Sequence, residues 1–240
     1  EVAGGSITAS DWSNLMTDTK TCYDSRFSVP SGSLTSESLA SSSRTSAWGS
    51  SGTPEVTHEF SVNFASESQC RAFFNAGGEI NFTSARAGGT SGSSAGTIGS
   101  QNSNWTALLS AMGTLTFNLN NLTSSGATGT SAGKGFYELT TSYVQMYIKY
   151  GSSSYASNYY QLVAKVNSTT NPTQITFKAT LRDDHALGDG IGADGVDGNS
   201  DDTVGYVDSV DGTVSSTCTT KRANNGIALA QPGTTAISNM

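Results

Sequence analysis

Four oxygen-bearing side chains, Asp197, Asn199, Asp201 and Asp208, stand at positions 1, 3, 5 and 12 of a calcium-loop spacing. Hard oxygen donors of this kind suit calcium better than zinc. Position 6, which such loops give to glycine, is Asp202, and no helical pattern flanks the segment. A standard EF-hand is therefore excluded, while an irregular calcium site and a solvated or interface-facing acidic loop both stay open. Gly129-Thr130-Ser131-Ala132-Gly133 matches the nucleophile elbow of serine hydrolases in form. That elbow needs a buried strand before it and a helix after it. Here a Gly/Ser/Thr run precedes it, and Phe136, Tyr137 and Leu139 read as a strand behind it. His58 falls on the apolar phase of a strand pattern and reads as a core or edge residue. His185 follows Asp183-Asp184, a grouping that could serve as a base pair or a metal site but reads more simply as a solvated turn. Tyr143, Tyr147, Tyr150, Tyr155, Tyr159 and Tyr160 would suit a sugar-stacking platform, or equally the tyrosine-rich pairing of strands. Cys22, Cys70 and Cys218 include no Cys-x-x-Cys pair, so zinc is poorly supported. Buried free thiols, or one disulfide with a leftover thiol, both fit. No catalytic residue emerges, and calcium is the only cofactor the residues suggest.

Composition narrows the classes further. Serine (39), threonine (31) and glycine (27) dominate the 240 residues, with 13% charged and 35% apolar, both below the usual shares. That apolar fraction fills one sizeable core rather than two. Unbroken apolar runs reach three or four residues, far short of the roughly 20 needed to cross a bilayer as a helix. No basic stripe is present to neutralise phosphates, so neither nucleic acid nor membrane is an expected partner. Nine aspartates between Leu181 and Gly212 face one arginine, Arg182, giving that segment −8 of a net −7 and leaving the rest at +1. A nearly uncharged, hydroxyl-rich body repels its neighbours weakly, which suits a protein that packs against other chains.

Periodicity supplies the elements that must position these residues. Residues 7–23 carry Trp12, Leu15, Met16, Cys22 and Tyr23 at three- and four-residue steps behind Thr8 or Ser10 as N-cap, the pattern of an amphipathic helix. Its stripe of Trp12, Leu15, Met16 and Tyr23 is the expected partner-binding surface. Serine-dominated residues 28–54 show no stable period and read as a linker or arm. From residue 55 onward, alternation at 56–64, 80–82, 115–119, 143–150, 159–166, 174–181 and 204–218 predicts about eight short strands. Ser66 and Gln69 open a short helix through Phe74, ended by Gly77-Gly78, and a second short helix carries Trp105, Leu108, Leu109 and Met112. The expected protein is mainly β: an antiparallel sandwich over 55–240, two short helices, a Ser-rich arm over 28–54 and an anchoring helix over 1–27.

Three segments carry a more specific signal: Arg71-Ala72-Phe73-Phe74-Asn75-Ala76-Gly77-Gly78-Glu79-Ile80, Asn104-Trp105-Thr106-Ala107-Leu108-Leu109-Ser110-Ala111-Met112-Gly113-Thr114, and Gly135-Phe136-Tyr137-Glu138-Leu139-Thr140-Thr141-Ser142-Tyr143. In this order and spacing the chain resembles a family of structural proteins in the virions of tailed bacteriophages, common in cyanophages. The N-terminal Ser6-Ile7-Thr8-Ala9-Ser10-Asp11-Trp12-Ser13-Asn14-Leu15 is similar to the helical segment preceding that domain in relatives, which often carry longer or repeated helical stretches there. The resemblance covers most of residues 6–215. It implies a non-enzymatic virion component of the tail, neck or fibre, partnered by other virion proteins and by copies of itself, with no catalytic residues to carry over. The alternative from a different class is a carbohydrate-binding or adhesin module that meets host surface glycans through the tyrosine cluster and the aspartate segment.

Overall fold

The computed structural model describes residues 8–27, 34–49, 54–89, 101–126, 129–185, 210–223 and 233–237. Two antiparallel sheets face one another. The first comprises β1 (Leu34–Arg44), β3 (Glu79–Ala87), β4 (Leu115–Phe117), β5 (Leu122–Ser124) and β10 (Thr213–Ala223), in the order β1-β10-β3-β4-β5. The second comprises β2 (Glu55–Asn63), β6 (Thr130–Ser131), β7 (Val144–Tyr150), β8 (Tyr159–Val166), β9 (Gln174–Arg182) and β11 (Gly233–Ile237), in the order β11-β2-β9-β8-β7-β6. Together they form a mainly β, antiparallel sandwich, as the alternating patterns predict.

The core lies where the alternating apolar residues of the two sheets meet. Phe82 of the first sheet packs on Phe177 of the second at 4.7 Å between ring centroids, and Phe117 meets the same ring edge-on at 5.3 Å. Val56, Phe60, Leu162, Ala164, Ile175 and Leu181 complete the facing layer, all buried. Alternation places these residues on one side of each strand and leaves Ser, Thr, Lys and Gln on the other.

Among the described residues, three α-helices accompany the sheets. The first, α1 (Ala9–Phe27), is capped by Thr8, whose hydroxyl accepts the Asp11 N–H at 3.2 Å while its own N–H donates to Asp11 Oδ2 at 2.8 Å. The second, α2 (Glu67–Asn75), opens as expected with Ser66 Oγ accepting from Gln69 N at 3.2 Å. It ends where Gly77 takes φ +89°, a left-handed turn that L side chains resist. The third, α3 (Gln101–Met112), buries Trp105, Leu108, Leu109 and Met112. No helix among the described residues is long and apolar enough to cross a membrane.

The structure departs from the sequence expectations in three places. Residues 28–54 do not read through as a linker. They contain β1, eleven residues paired antiparallel with β10 from Leu34↔Ala223 to Arg44↔Val214, so the sandwich begins before residue 55. Trp48 follows, fully buried and bridged to Val210. Serine-rich strands escape a hydrophobicity pattern because main-chain ladder bonds hold an edge strand whatever its side chains. Second, Phe136–Glu138 is a 3-10 turn rather than a strand. The buried pair Phe136 and Leu139 sits three apart, which suits a three-residue turn and not a two-residue alternation. Third, the described strands number eleven rather than about eight, because β1 in the serine arm, the short β5 and β6, and β11 near the C-terminus all lack an apolar alternation.

Candidate functional site

The anchoring stripe predicted on the N-terminal helix is on the surface. Trp12, Leu15 and Met16 are 58%, 55% and 67% exposed, and every described side chain from Thr8 to Thr19 is exposed. Spacing of three and four residues puts Trp12, Leu15 and Met16 on one face of α1. Tyr23 lies in the same helix, but its side chain is outside the described residues, as is that of Cys22.

His58 has the opposite fate. It is 0% exposed in β2, and its Nδ1 lies 2.7 Å from Ser216 Oγ, which in turn lies 2.7 Å from Ser84 Oγ. The group joins β2 of one sheet to β10 and β3 of the other across the interior. It is a polar staple between the sheets, sealed from any substrate. The elbow-like Ser131 sits on β6, with its hydroxyl donating to Leu122 O, followed by no α-helix. Both outcomes agree with reading these residues as structural.

The acidic segment has well-defined stems. Asp197, Asn199, Asp201 and Asp208 lie outside the described residues, so the structure places none of the four. Its stems, Asp183–His185 and Val210–Asp211, are described, and the first two residues of α3 hold both. Gln101 Nε2 donates to Asp183 Oδ2 at 2.9 Å, and Asn158 Nδ2 donates to Gln101 Oε1 at 2.6 Å. Asn158 Oδ1 accepts from the backbone N–H groups of Asp184 and His185 at 3.0 and 2.8 Å, and the His185 N–H also reaches Asp183 Oδ1 at 3.1 Å. The four groups thus form a closed ring in which the carboxylate only accepts. Next along the helix, Asn102 Nδ2 donates to Asp211 Oδ1, and Asn102 Oδ1 accepts from Asp211 N at 3.1 Å. Arg86 closes the second stem through Asp211 Oδ1 at 3.3 Å and Asp211 O at 2.9 Å. Burial pushes the Asp183 carboxyl above the ordinary carboxylate range, with the hydrogen bonds from Gln101 and His185 partly opposing. His185 is half-buried outside any helix or strand. Its ring stands edge-on to Tyr155 at 4.7 Å.

Trp48 and Gly49 brace this clamp from the serine-rich arm. Trp48 exchanges both backbone hydrogen bonds with Val210, at 2.9 and 2.8 Å, and its ring packs on Trp105 of α3 at 5.0 Å. Gly49 has φ +85°, and a Cβ there would lie 2.6 Å from Asp183 Oδ2. Gly49→Ala is expected to lower stability by about 2 kcal/mol, from left-handed strain plus displacement of a buried carboxylate. Urea unfolding checks it, and a midpoint equal to wild type would contradict the close approach.

Sequence reading missed Trp48, Gln101, Asn102 and Asn158. The available signal was the amide run Gln101-Asn102-Ser103-Asn104 at a helix start, a place where side chains satisfy neighbouring backbone groups. The six tyrosines also separate: Tyr147 and Tyr160 are core residues, Tyr155 is buried, and Tyr150 stands 56% exposed beside Tyr159. Tyr143 lies between Lys165 and Lys178, whose ammonium groups sit 4.4 and 4.9 Å from its ring centroid, and donates to Glu59 Oε2 at 3.0 Å. Cys70 and Cys218 are buried free thiols, and burial pushes that of Cys70 up to about 12. No three His, Cys, Asp or Glu side chains converge as metal ligands among the described residues.

The fold and this geometry define a class: an antiparallel β-sandwich with a solvent-facing N-terminal helix and an α3-centred clamp on an acidic segment. No family model, curated protein or solved structure matches the chain.

Proposed function

We propose that this protein is a non-enzymatic structural component of a tailed-bacteriophage virion, of the tail, neck or fibre type, docking onto other virion proteins and copies of itself. The observation that carries the reading is the α1 stripe, three large apolar side chains more than half exposed on a helix whose described side chains bury nothing. A helix of this kind gains roughly 1.5–3 kcal/mol per large side chain when a partner covers it. The sandwich meanwhile supplies its own core from residues 48–218, so the helix is available for docking rather than needed for folding. Two of the resembling segments also meet in space: Phe74 stacks on Phe136 at 4.4 Å, and Tyr137 donates to Asn75 Oδ1 at 3.2 Å.

Deleting residues 1–27 should leave a protein with wild-type unfolding behaviour that no longer incorporates into particles. The measurement is quantitative detection of tagged full-length and truncated protein in purified virions, with an electron-microscopy map locating the full chain. Normal incorporation of the truncated protein would sink the docking role of α1, and absence of the full chain from particles would sink the virion assignment.

A further inference from the structure

One groove on the sandwich is shaped for a small amphipathic ligand. It is an open groove between α3 and the β6–β7 edge with a volume of about 490 Å³, within the range of roughly 300–1,000 Å³ typical of small-molecule sites. Small residues open it. Ala107 and Ala111, one turn apart on α3, leave the helix side low over Leu108, while Ile148 forms the facing apolar wall. Opposite the alanines stand Gly129 and Gly151. A Cβ on Gly129 would strike the Tyr147 hydroxyl, and one on Gly151 would strike the Tyr155 carbonyl oxygen. The turn at one end is tied in place, because Asn104 Nδ2 donates to both the carbonyl and the hydroxyl oxygen of Ser152 at 3.2 Å. At this end Tyr150 presents a ring 56% exposed, braced edge-on by Tyr159 at 5.9 Å.

We propose that this groove binds a short neutral saccharide, stacked on Tyr150 and hydrogen-bonded along the rim formed by Thr130 and Ser152. A pyranose presents an apolar C–H face and a ring of hydroxyls. The groove offers the matching pair, a braced aromatic with an apolar floor and the hydroxyls of Thr130 and Ser152. Phosphorylated ligands fit less well. Lys149 is the only cation among the described lining residues, it is largely buried, and that burial depresses its pKa. The inference goes beyond the assembly reading, since it concerns a different surface from α1.

The test is isothermal titration of the full chain with maltotriose, cellotriose and triacetylchitotriose at millimolar concentration, with ATP and a neutral tripeptide alongside. At least one trisaccharide should bind. Tyr150→Ala should weaken that binding by roughly tenfold or more, the loss of one stacking platform. Ala107→Leu, on an exposed helix position that tolerates leucine, should block the groove with thermal unfolding unchanged. Binding by none of the three sugars overturns the proposal. So does sugar binding indifferent to both substitutions, or binding of ATP or the tripeptide in their place. None of these results bears on particle incorporation, which the α1 truncation reads separately.

Discussion

Phe74→Ala should lower the stability of the sandwich by about 3–5 kcal/mol, the usual cost of emptying a buried aromatic site. Phe74 is fully buried and joins four rings: it stacks on Phe136 at 4.4 Å with planes 13° apart, meets Phe73 and Phe117 edge-on at 5.0 and 5.6 Å, and approaches Phe64 at 6.2 Å. Those contacts connect α2, the Phe136–Glu138 turn and β4. Removing the ring therefore opens a cavity between three elements that cannot all collapse inward. Tyr137→Ala is the matched control, because that ring is mostly exposed although it touches Phe136 at 4.9 Å. Its expected cost is about 1 kcal/mol. Equilibrium urea unfolding separates the two, and equal midpoints would show that the Phe74 cluster is not a keystone.

The second large effect is expected at Asp183. Asp183→Ala should cost about 2–4 kcal/mol, because Gln101 Nε2 would lose an acceptor in a buried place and the His185 N–H would be left with Asn158 Oδ1 alone. Asp183→Asn is the sharper variant. Simple removal of a buried charge predicts a gain in stability, since desolvation raises the carboxyl's pKa. The hydrogen-bond ring predicts a loss instead. Asn158 Oδ1 is committed to two backbone N–H groups, which directs Asn158 Nδ2 to Gln101 Oε1 and Gln101 Nε2 to residue 183. With both neighbours donating, an asparagine must aim its own N–H₂ at a donor. A loss of about 1–3 kcal/mol is expected at neutral pH. A more stable Asn variant would refute the acceptor-only role of Asp183.

The identities of the elements were legible where side chains alternate strongly. Val56, Phe60 and Val62 announce β2, Tyr160, Leu162 and Ala164 announce β8, and Ser66 announces the start of α2. Burying one face of a strand requires apolar residues at every second place, so the pattern and the fold are the same constraint. Strand β1 was not legible, since its ladder with β10 is made by main-chain groups common to all residues and its serines carry no period. The Phe136–Glu138 turn misled for a related reason: two buried residues three apart fit more than one local geometry.

The candidate sites divide the same way. Trp12, Leu15 and Met16 on one helix face follow from spacing alone, because a helix brings neighbours three and four apart together without help from the rest of the fold. The clamp and the groove do not. Gln101 and Asp183 are 82 positions apart, Asn102 and Asp211 are 109 apart, and Gly49 meets Asp183 across most of the chain. The sequence by itself determined the fold class, the uncharged hydroxyl-rich body, the acidic segment and the apolar stripe of α1, all of which are set by local composition and period. Only the tertiary structure decided that the serine arm joins the sheet and that α3 grips both stems of the acidic segment. It also decided that Ala107 and Ala111 leave a groove beside Tyr150, for contacts between distant residues depend on how the two sheets and α3 pack, and no short-range pattern encodes that packing.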